Sequence, residues 1–140
     1  MTVDMFVDAS CAFVWDVIRD VHAADTRLIP GLVTGVAEIP GARVVTFANG
    51  LVVTERIVTL DDATRTLVYQ AINGPIEDHL GIQVVTEDEL GRTRLRWTTQ
   101  FSPAQAVEAA CSSIGPLARL MKKTIERAYS DTVDESTPIM

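Results

Sequence analysis

The sequence predicts an α+β fold in which a curved antiparallel sheet of seven strands wraps around a long C-terminal helix. Three observations lead to this prediction. Short segments of alternating apolar and polar residues, separated by Gly, Pro, Asn and Asp, run from residue 32 to residue 101 and are typical of antiparallel strands. A long apolar stripe at helical spacing follows them. Two shorter helical segments lie between the first strand and the rest of the sheet.

The first strand is predicted at Thr2–Val7, and Ser10 is a suitable N-cap for the helix after it. The apolar stripe of that helix is formed by Phe13, Val14, Val17, Ile18 and Val21, with Trp15 beside its centre. A second short helix over Ala23–Leu28 ends before Pro30, because a residue that precedes proline is disfavoured in helical geometry.

Six further strands are predicted at Leu32–Ile39, Ala42–Ala48, Leu51–Leu60, Arg65–Ile72, His79–Glu87 and Arg92–Phe101. Asn49-Gly50 predicts a two-residue type I′ hairpin, because both residues tolerate the positive φ angles of that turn. In the last strand, Leu95, Trp97, Thr99 and Phe101 alternate with polar residues. This alternation indicates one buried face and one solvated face, with Arg94 and Arg96 on the latter.

Pro103 opens the long helix, and its apolar stripe comprises Ala106, Val107, Ala110, Ile114, Leu117, Met121, Ile125 and Tyr129. Gly115-Pro116 removes one backbone hydrogen bond within this helix and predicts a bend. Acidic residues without apolar periodicity follow Tyr129. We therefore expect one domain over residues 1–129 and a flexible acidic tail over residues 130–140.

Charge and hydropathy exclude several classes of partner. The net charge is −7, and the only lysines of the 140 residues are Lys122 and Lys123. Without a basic stripe to neutralise phosphates, nucleic acid is not expected as a partner. No apolar run is long enough to span a bilayer and the first residues do not resemble a signal peptide, so we expect a cytoplasmic protein without stable membrane insertion. The sequence is compatible with a monomer or a homodimer.

No cofactor or metal is predicted. Cys11 and Cys111 are isolated thiols without CxxC spacing, which favours reduced, buried cysteines. His22 and His79 are the two histidines, and they form no His-x-x-x-His pattern. The chain also lacks a glycine-rich phosphate loop and has no lysine in its predicted strands for a Schiff base.

The order of these elements resembles that of the SRPBCC superfamily, which contains the birch-pollen allergen, START lipid-transfer domains, bacterial polyketide cyclases and plant abscisic-acid receptors. The local carriers of the resemblance are Val7-Asp8-Ala9-Ser10 before Val14-Trp15-Asp16-Val17-Ile18, then Thr54-Glu55-Arg56-Ile57-Val58, then Arg94-Leu95-Arg96-Trp97. The resemblance covers nearly the whole chain up to Tyr129. It implies a helix-grip fold, in which the long helix closes the sheet over a cavity for a small hydrophobic ligand.

Two segments are similar to mobile loops of the abscisic-acid receptors. Asn49-Gly50-Leu51, followed by Thr54-Glu55-Arg56, resembles their gate, and Glu77-Asp78-His79-Leu80 resembles their latch without its arginine. The gate's Leu-Pro-Ala is replaced by Leu51-Val52-Val53, and no lysine precedes Lys122 to match the receptors' carboxylate-binding lysine. The resemblance therefore implies a cavity and does not imply abscisic acid as its ligand.

Glu55 is the principal candidate for the cavity. It shares one face of its strand with Leu51, Val53 and Ile57, whereas Arg56 lies on the other face. Both faces contain apolar residues, so alternation alone allows a buried or a solvent-facing glutamate. The resemblance implies that Glu55 faces the cavity, and we predict this orientation. A desolvated carboxylate there could bind a polar group or accept a proton.

The other candidates have equally plausible structural roles. His79 would contact a ligand at the cavity mouth, or would begin a strand in a solvated loop. Tyr69 and Trp97, expected on neighbouring strands, would contact a flat ligand or pack the core. Further cavity residues are predicted to be Thr99, Phe101, Leu117 and Met121, with Asn73 as a weaker candidate.

Two functions are open at this point. The first is binding of a polyketide-, lipid- or hormone-like molecule in a cavity between the sheet and the C-terminal helix, with Glu55 and His79 at its polar end. The second is a polyketide cyclase/dehydrase-like enzyme that catalyses aldol-type cyclisation. In that enzyme Glu55 would be the general base, and His79 or Tyr69 would polarise the carbonyl oxygen.

Overall fold

The computed structural model describes residues 2–73, 77–102 and 104–136, with side chains for 2–73, 78–100 and 115–133. The helices are α1 (Cys11–Arg19), α2 (Ala24–Arg27) and α3 (Ala104–Ser136). The strands are β1 (Thr2–Val7), β2 (Val33–Ile39), β3 (Ala42–Phe47), β4 (Val52–Asp61), β5 (Thr66–Ala71), β6 (Glu77–Glu87) and β7 (Thr93–Ser102). The element types and their order are those predicted from the sequence.

One antiparallel sheet contains all seven strands in the order β1-β7-β6-β5-β4-β3-β2. Strands β2 to β7 are successive neighbours, and β1 pairs with β7, so α1 and α2 carry the chain from one edge of the sheet to the other. The helices and the inner face of the sheet bury one apolar core, to which α3 contributes Ala118, Met121 and Ile125. This is the predicted helix-grip fold.

Helix α1 begins as its sequence predicts. The Ser10 hydroxyl accepts a hydrogen bond from the Phe13 backbone N–H at 3.2 Å, which satisfies one of the free donors of the first turn. Trp15, predicted beside the apolar stripe, is also buried, and its indole Nε1 donates a hydrogen bond to Asp62 Oδ1 at 2.8 Å. This bond joins α1 to the turn between β4 and β5.

The hairpin between β3 and β4 exists, but its turn differs from the predicted type I′. The Phe47 carbonyl accepts a hydrogen bond from Gly50 N–H at 2.9 Å, and of the two predicted turn residues only Gly50 has a positive φ, at 89°. The loop therefore has one residue more than a two-residue turn. As a result Arg43 pairs with Glu55, whereas a two-residue loop would have placed it opposite Arg56.

Strand β7 alternates as predicted, with Thr93, Leu95, Trp97 and Thr99 buried and the intervening residues more exposed. Tyr69 and Trp97 are not on neighbouring strands as expected, because β6 lies between β5 and β7. Helix α3 contains Pro116 and continues past Tyr129 to Ser136. The boundary predicted at Tyr129 lies within this helix, whose residues 130–133 are exposed, and the flexibility of the tail stays a prediction.

Among the described residues, no helix combines the length and the apolar character needed to cross a bilayer.

Candidate functional site

A cavity of two chambers lies on the inner face of the sheet. Phe47, Glu55, Tyr69 and Trp97 line both chambers. The first, which we call the strand chamber, has a volume of about 170 Å³ and extends to Leu51, Val53, Ala71, Asn73 and His79. The second, the helix chamber, has a volume of about 90 Å³ and extends through Arg43 and Gln83 to Leu28, Leu117 and Met121. The cavity is therefore bounded by the sheet and by α2 and α3.

Tyr69 and Trp97 meet across the intervening strand. The Trp97 indole Nε1 donates a hydrogen bond to the Tyr69 hydroxyl at 3.1 Å, and both side chains are buried. The contact depends on Gly81 of β6, since a Cβ atom at this position would stand 2.3 Å from Tyr69 Cζ. Burial raises the pKa of the Tyr69 phenol, and the charge of Glu55 adds to this shift. The phenol is therefore protonated at neutral pH.

Glu55 faces the cavity and forms a buried ion pair. Arg43 Nε donates to Glu55 Oε1 at 2.8 Å, and the two side chains are 9% and 13% exposed. Arg43 also donates from Nη1 to the Val21 carbonyl at 3.0 Å, and its guanidinium lies 5.1 Å from the centre of the Tyr69 ring. The polar centre of the cavity is thus an ion pair in contact with an aromatic ring.

Arg56 points away from the cavity. It is exposed, and its Nη2 donates to Gln70 Oε1 at 3.0 Å on the outer face of the sheet. The predicted orientation of this strand, with Glu55 inside and Arg56 outside, is the one observed.

His79 lies within β6, not at a strand start in a solvated loop, and is 8% exposed. Its Nδ1 accepts a hydrogen bond from the Ala71 backbone N–H at 2.9 Å, which assigns the proton of the neutral ring to Nε2. The Tyr69 and His79 rings are adjacent, with centroids 5.7 Å apart. Burial lowers the pKa of His79, and the charge of Glu55 partly offsets this shift. His79 is therefore neutral at pH 7.

The remaining predicted residues divide into four groups. Leu117 and Met121 line the helix chamber. Asn73 lines the strand chamber, where its Oδ1 accepts from the Thr54 N–H at 2.8 Å. Thr99 is buried on the inner face but lines neither chamber. The side chain of Phe101 lies outside the described residues.

The residues of this region that were not predicted from the sequence include Arg43, Gly81 and Gln83, and also Phe47, which lines both chambers. Arg43 shares a strand face with Val45 and Phe47. A charged residue on an otherwise apolar face could have indicated a buried functional group. Gln83 is 2% exposed in the central strand β6, where it interrupts a buried face in the same way. Gly81 precedes it by two residues and is the only position of that face without a side chain.

A larger open cleft of about 700 Å³ is lined by the end of β1, the start of α1, the turn between β6 and β7 and the C-terminal part of α3. Its rim carries both signs of charge, including Arg65, Glu87 and Lys122, and it is open to solvent. Such a surface does not enclose an apolar molecule, so the smaller two-chamber cavity is the better candidate site. Among the described residues, no group of three or more potential metal ligands comes together.

A protein-family model described as polyketide cyclase/dehydrase and lipid transport matches residues 1–135. The chain belongs to this family. The resemblance to the SRPBCC superfamily inferred from the sequence is thereby confirmed. The search of curated proteins found no match to this sequence.

Solved structures share the fold of this member of the polyketide cyclase/dehydrase and lipid transport family. The protein XoxI from Bacillus cereus is 20% identical, with a TM-score of 0.80 over 94% of this chain and 96% of that chain. A Bacillus thuringiensis protein is 21% identical, with a TM-score of 0.78 over 92% and 97% of the two chains. A Thermobifida fusca protein is 23% identical, with a TM-score of 0.71 over 94% and 93%. At these identities the similarity concerns the fold alone.

The protonation of His79 predicts a pH dependence of stability. In the folded protein the pKa of His79 lies below its ordinary value of 6.5. The neutral ring therefore contributes stability that is fully present above pH 6.5. This contribution is lost as the pH falls from 6.5 through the folded-state pKa. His79→Asn keeps a hydrogen-bond acceptor near Ala71 N–H but cannot titrate. We expect urea unfolding between pH 7.5 and pH 5 to show a steeper loss of stability for wild type than for His79→Asn; parallel profiles would contradict this assignment.

Proposed function

We propose that the chain binds a small hydrophobic molecule in the two-chamber cavity. The observation that carries the proposal is a cavity on the inner face of the sheet, which α3 reaches through Leu117 and Met121 and which is lined mostly by apolar and aromatic side chains around a few polar groups. This combination is typical of small-molecule sites. The family description, polyketide cyclase/dehydrase and lipid transport, also favours ligands of this kind.

The size of the chambers limits the ligand. They measure about 170 and 90 Å³, whereas pockets for drug-sized molecules measure roughly 300–1,000 Å³. A cavity of about 150 Å³ is large enough for a single benzene ring. A molecule of one or two fused rings therefore matches the two chambers.

The proposal is tested with the protein as purified and with a probe. Native mass spectrometry, before and after mild denaturation, detects a compound that co-purifies. For the probe, Trp15→Phe leaves Trp97 as the sole tryptophan, so titration with 2-ethylnaphthalene can be followed by the emission of a residue that lines both chambers. We expect saturable binding; no change in Trp97 emission and no co-purifying compound would together overturn the proposal.

An occluding variant locates the probe. Ala71 lines the strand chamber, and its backbone N–H, which bonds to His79, is retained in Ala71→Leu. The added carbons occupy space that the probe needs, so its affinity is expected to fall about tenfold or more. Ala37→Leu makes the same change at an exposed position of β2 and should leave the affinity unchanged. Equal affinity for both variants would contradict binding in the strand chamber.

A second function is favoured by one specific observation. Three polar groups, Glu55, Tyr69 and His79, line the same chamber, and an aldol-type cyclase needs at least two such groups near the reacting carbonyl. In this proposal Glu55 abstracts the proton and Tyr69 or His79 donates to the oxygen. Because Glu55 Oε1 is already paired with Arg43, we propose binding as the first function and catalysis as the second. Conversion of a polyketone by wild type, absent in Glu55→Gln, would reverse this order.

A further inference from the structure

Gln83 presents its side-chain amide to the helix chamber. Its residue is 2% exposed, it lines the helix chamber, and none of the described residues forms a hydrogen bond with its side chain. Its amide atoms are not among the fully buried side-chain atoms without a partner, where Arg94 Nε alone is found in the described residues, so the amide is open to the chamber. Native proteins rarely leave such a group unsatisfied. A partner that is not part of the chain is therefore expected at this position.

Tyr69 offers a second group of the same kind. Its hydroxyl oxygen accepts from Trp97 Nε1, but no described residue accepts the hydroxyl proton. Burial raises the pKa of this phenol, so the proton is present at neutral pH. Tyr69 and Gln83 both line the helix chamber. Together they provide a hydroxyl donor and an amide that can donate and accept.

The charges in the cavity cancel. Arg43 and Glu55 form an ion pair at 2.8 Å, and no other charged side chain lines either chamber in the part of the chain with described side chains. Burial lowers the pKa of His79, so this ring adds no charge at pH 7. A carboxylate or an ammonium group bound here would be desolvated without a free counter-ion, which is strongly unfavourable.

We infer that the cavity selects a neutral, oxygen-bearing apolar molecule, such as an aryl ketone or phenol, whose oxygen is hydrogen bonded by Gln83 and Tyr69. This inference rests on the proposed function and adds the chemical class of the ligand. It excludes free fatty acids and other carboxylates as preferred ligands.

Three probes with one skeleton test the inference: 2-acetylnaphthalene, 2-naphthoate and 2-ethylnaphthalene. Their dissociation constants are measured through Trp97 emission in the Trp15→Phe background. We expect the dissociation constant of the ketone to be at least about 100-fold lower than that of the carboxylate, because the buried anion lacks a counter-ion. This comparison needs no change in the cavity. Equal or tighter binding of the carboxylate would overturn the neutrality of the ligand.

The role of Gln83 is tested by Gln83→Leu. Loss of one hydrogen bond should reduce ketone affinity, relative to hydrocarbon affinity, by about threefold to tenfold. Gln100→Leu is the matched control, because Gln100 lies on the exposed face of β7 and its replacement should leave the ratio unchanged.

The possible failures are distinguishable. If none of the three probes binds and no compound co-purifies, the proposed function fails. If the hydrocarbon binds and the ketone-to-hydrocarbon ratio is unchanged in Gln83→Leu, binding in the cavity stands and recognition of oxygen by Gln83 is overturned.

Discussion

Arg43→Met is expected to lower the free energy of unfolding by about 3–5 kcal/mol, the usual cost of removing one partner from a buried ion pair. The Glu55 side chain, which is only 13% exposed, loses its guanidinium partner in this variant. It also removes the bond from Arg43 to the Val21 carbonyl and the contact with the Tyr69 ring. Urea unfolding at pH 7 measures the change.

Two comparisons separate the ion pair from a general effect of removing an arginine. Arg96 pairs with Asp4 at 2.9 Å, but these side chains are 52% and 45% exposed, so Arg96→Met should cost far less stability than Arg43→Met. In Arg43→Met/Glu55→Leu both charges are absent, and most of the lost stability should return. Equal costs for Arg43→Met and Arg96→Met, or no recovery in the double variant, would contradict the role assigned to the buried pair.

Gly81→Ala is expected to cost about 1–3 kcal/mol, although it adds only one methyl group. The new Cβ would stand 2.3, 2.5 and 2.8 Å from three carbons of the Tyr69 ring, so the ring or strand β6 must move. Displacement of Tyr69 also separates its hydroxyl from Trp97 Nε1, which is 3.1 Å away in a buried position. Urea unfolding gives the stability, and Trp97 emission in the Trp15→Phe background reports the loss of this contact.

Gly35 provides the matched control for this prediction. It also lies in a strand, β2, but an added Cβ would meet nothing within 4 Å, so Gly35→Ala should be neutral or slightly stabilising. A second test uses Tyr69→Leu, which lacks the three ring carbons concerned. In that background the cost of Gly81→Ala should shrink, because the two positions are directly coupled. Additive effects would show that the clash with Tyr69 is not the cause.

These two predictions concern the same functional feature. The ion pair of Arg43 and Glu55 and the hydrogen-bonded pair of Tyr69 and Trp97 are in contact through the Arg43 guanidinium and the Tyr69 ring. Each pair holds side chains that line the cavity. A binding site held by such mutual contacts is organised before a ligand arrives, so less conformational freedom is lost on binding.

Much of the architecture follows from local sequence patterns. The period of apolar residues predicts the helices and strands, the Ser10 cap predicts the start of α1, and alternation along β7 predicts that Trp97 faces the core. These properties depend on neighbouring residues of one segment, which is why a single sequence contains them. The extent of α3 was the exception, since helix geometry persists to Ser136 without an apolar stripe.

The partners within the cavity depend on register and strand order, which local patterns do not contain. One additional residue in the loop between β3 and β4 places Arg43 opposite Glu55, and no property of either strand alone specifies that pairing. The contact between Tyr69 and Trp97 crosses β6 and exists because Gly81 leaves room there. The sequence by itself determined the order of the elements. Through its resemblance to a known superfamily, it also indicated the family and the inward orientation of Glu55. Only the tertiary structure decided which buried groups meet, because closure of the sheet and the helices brings together residues that are distant along the chain.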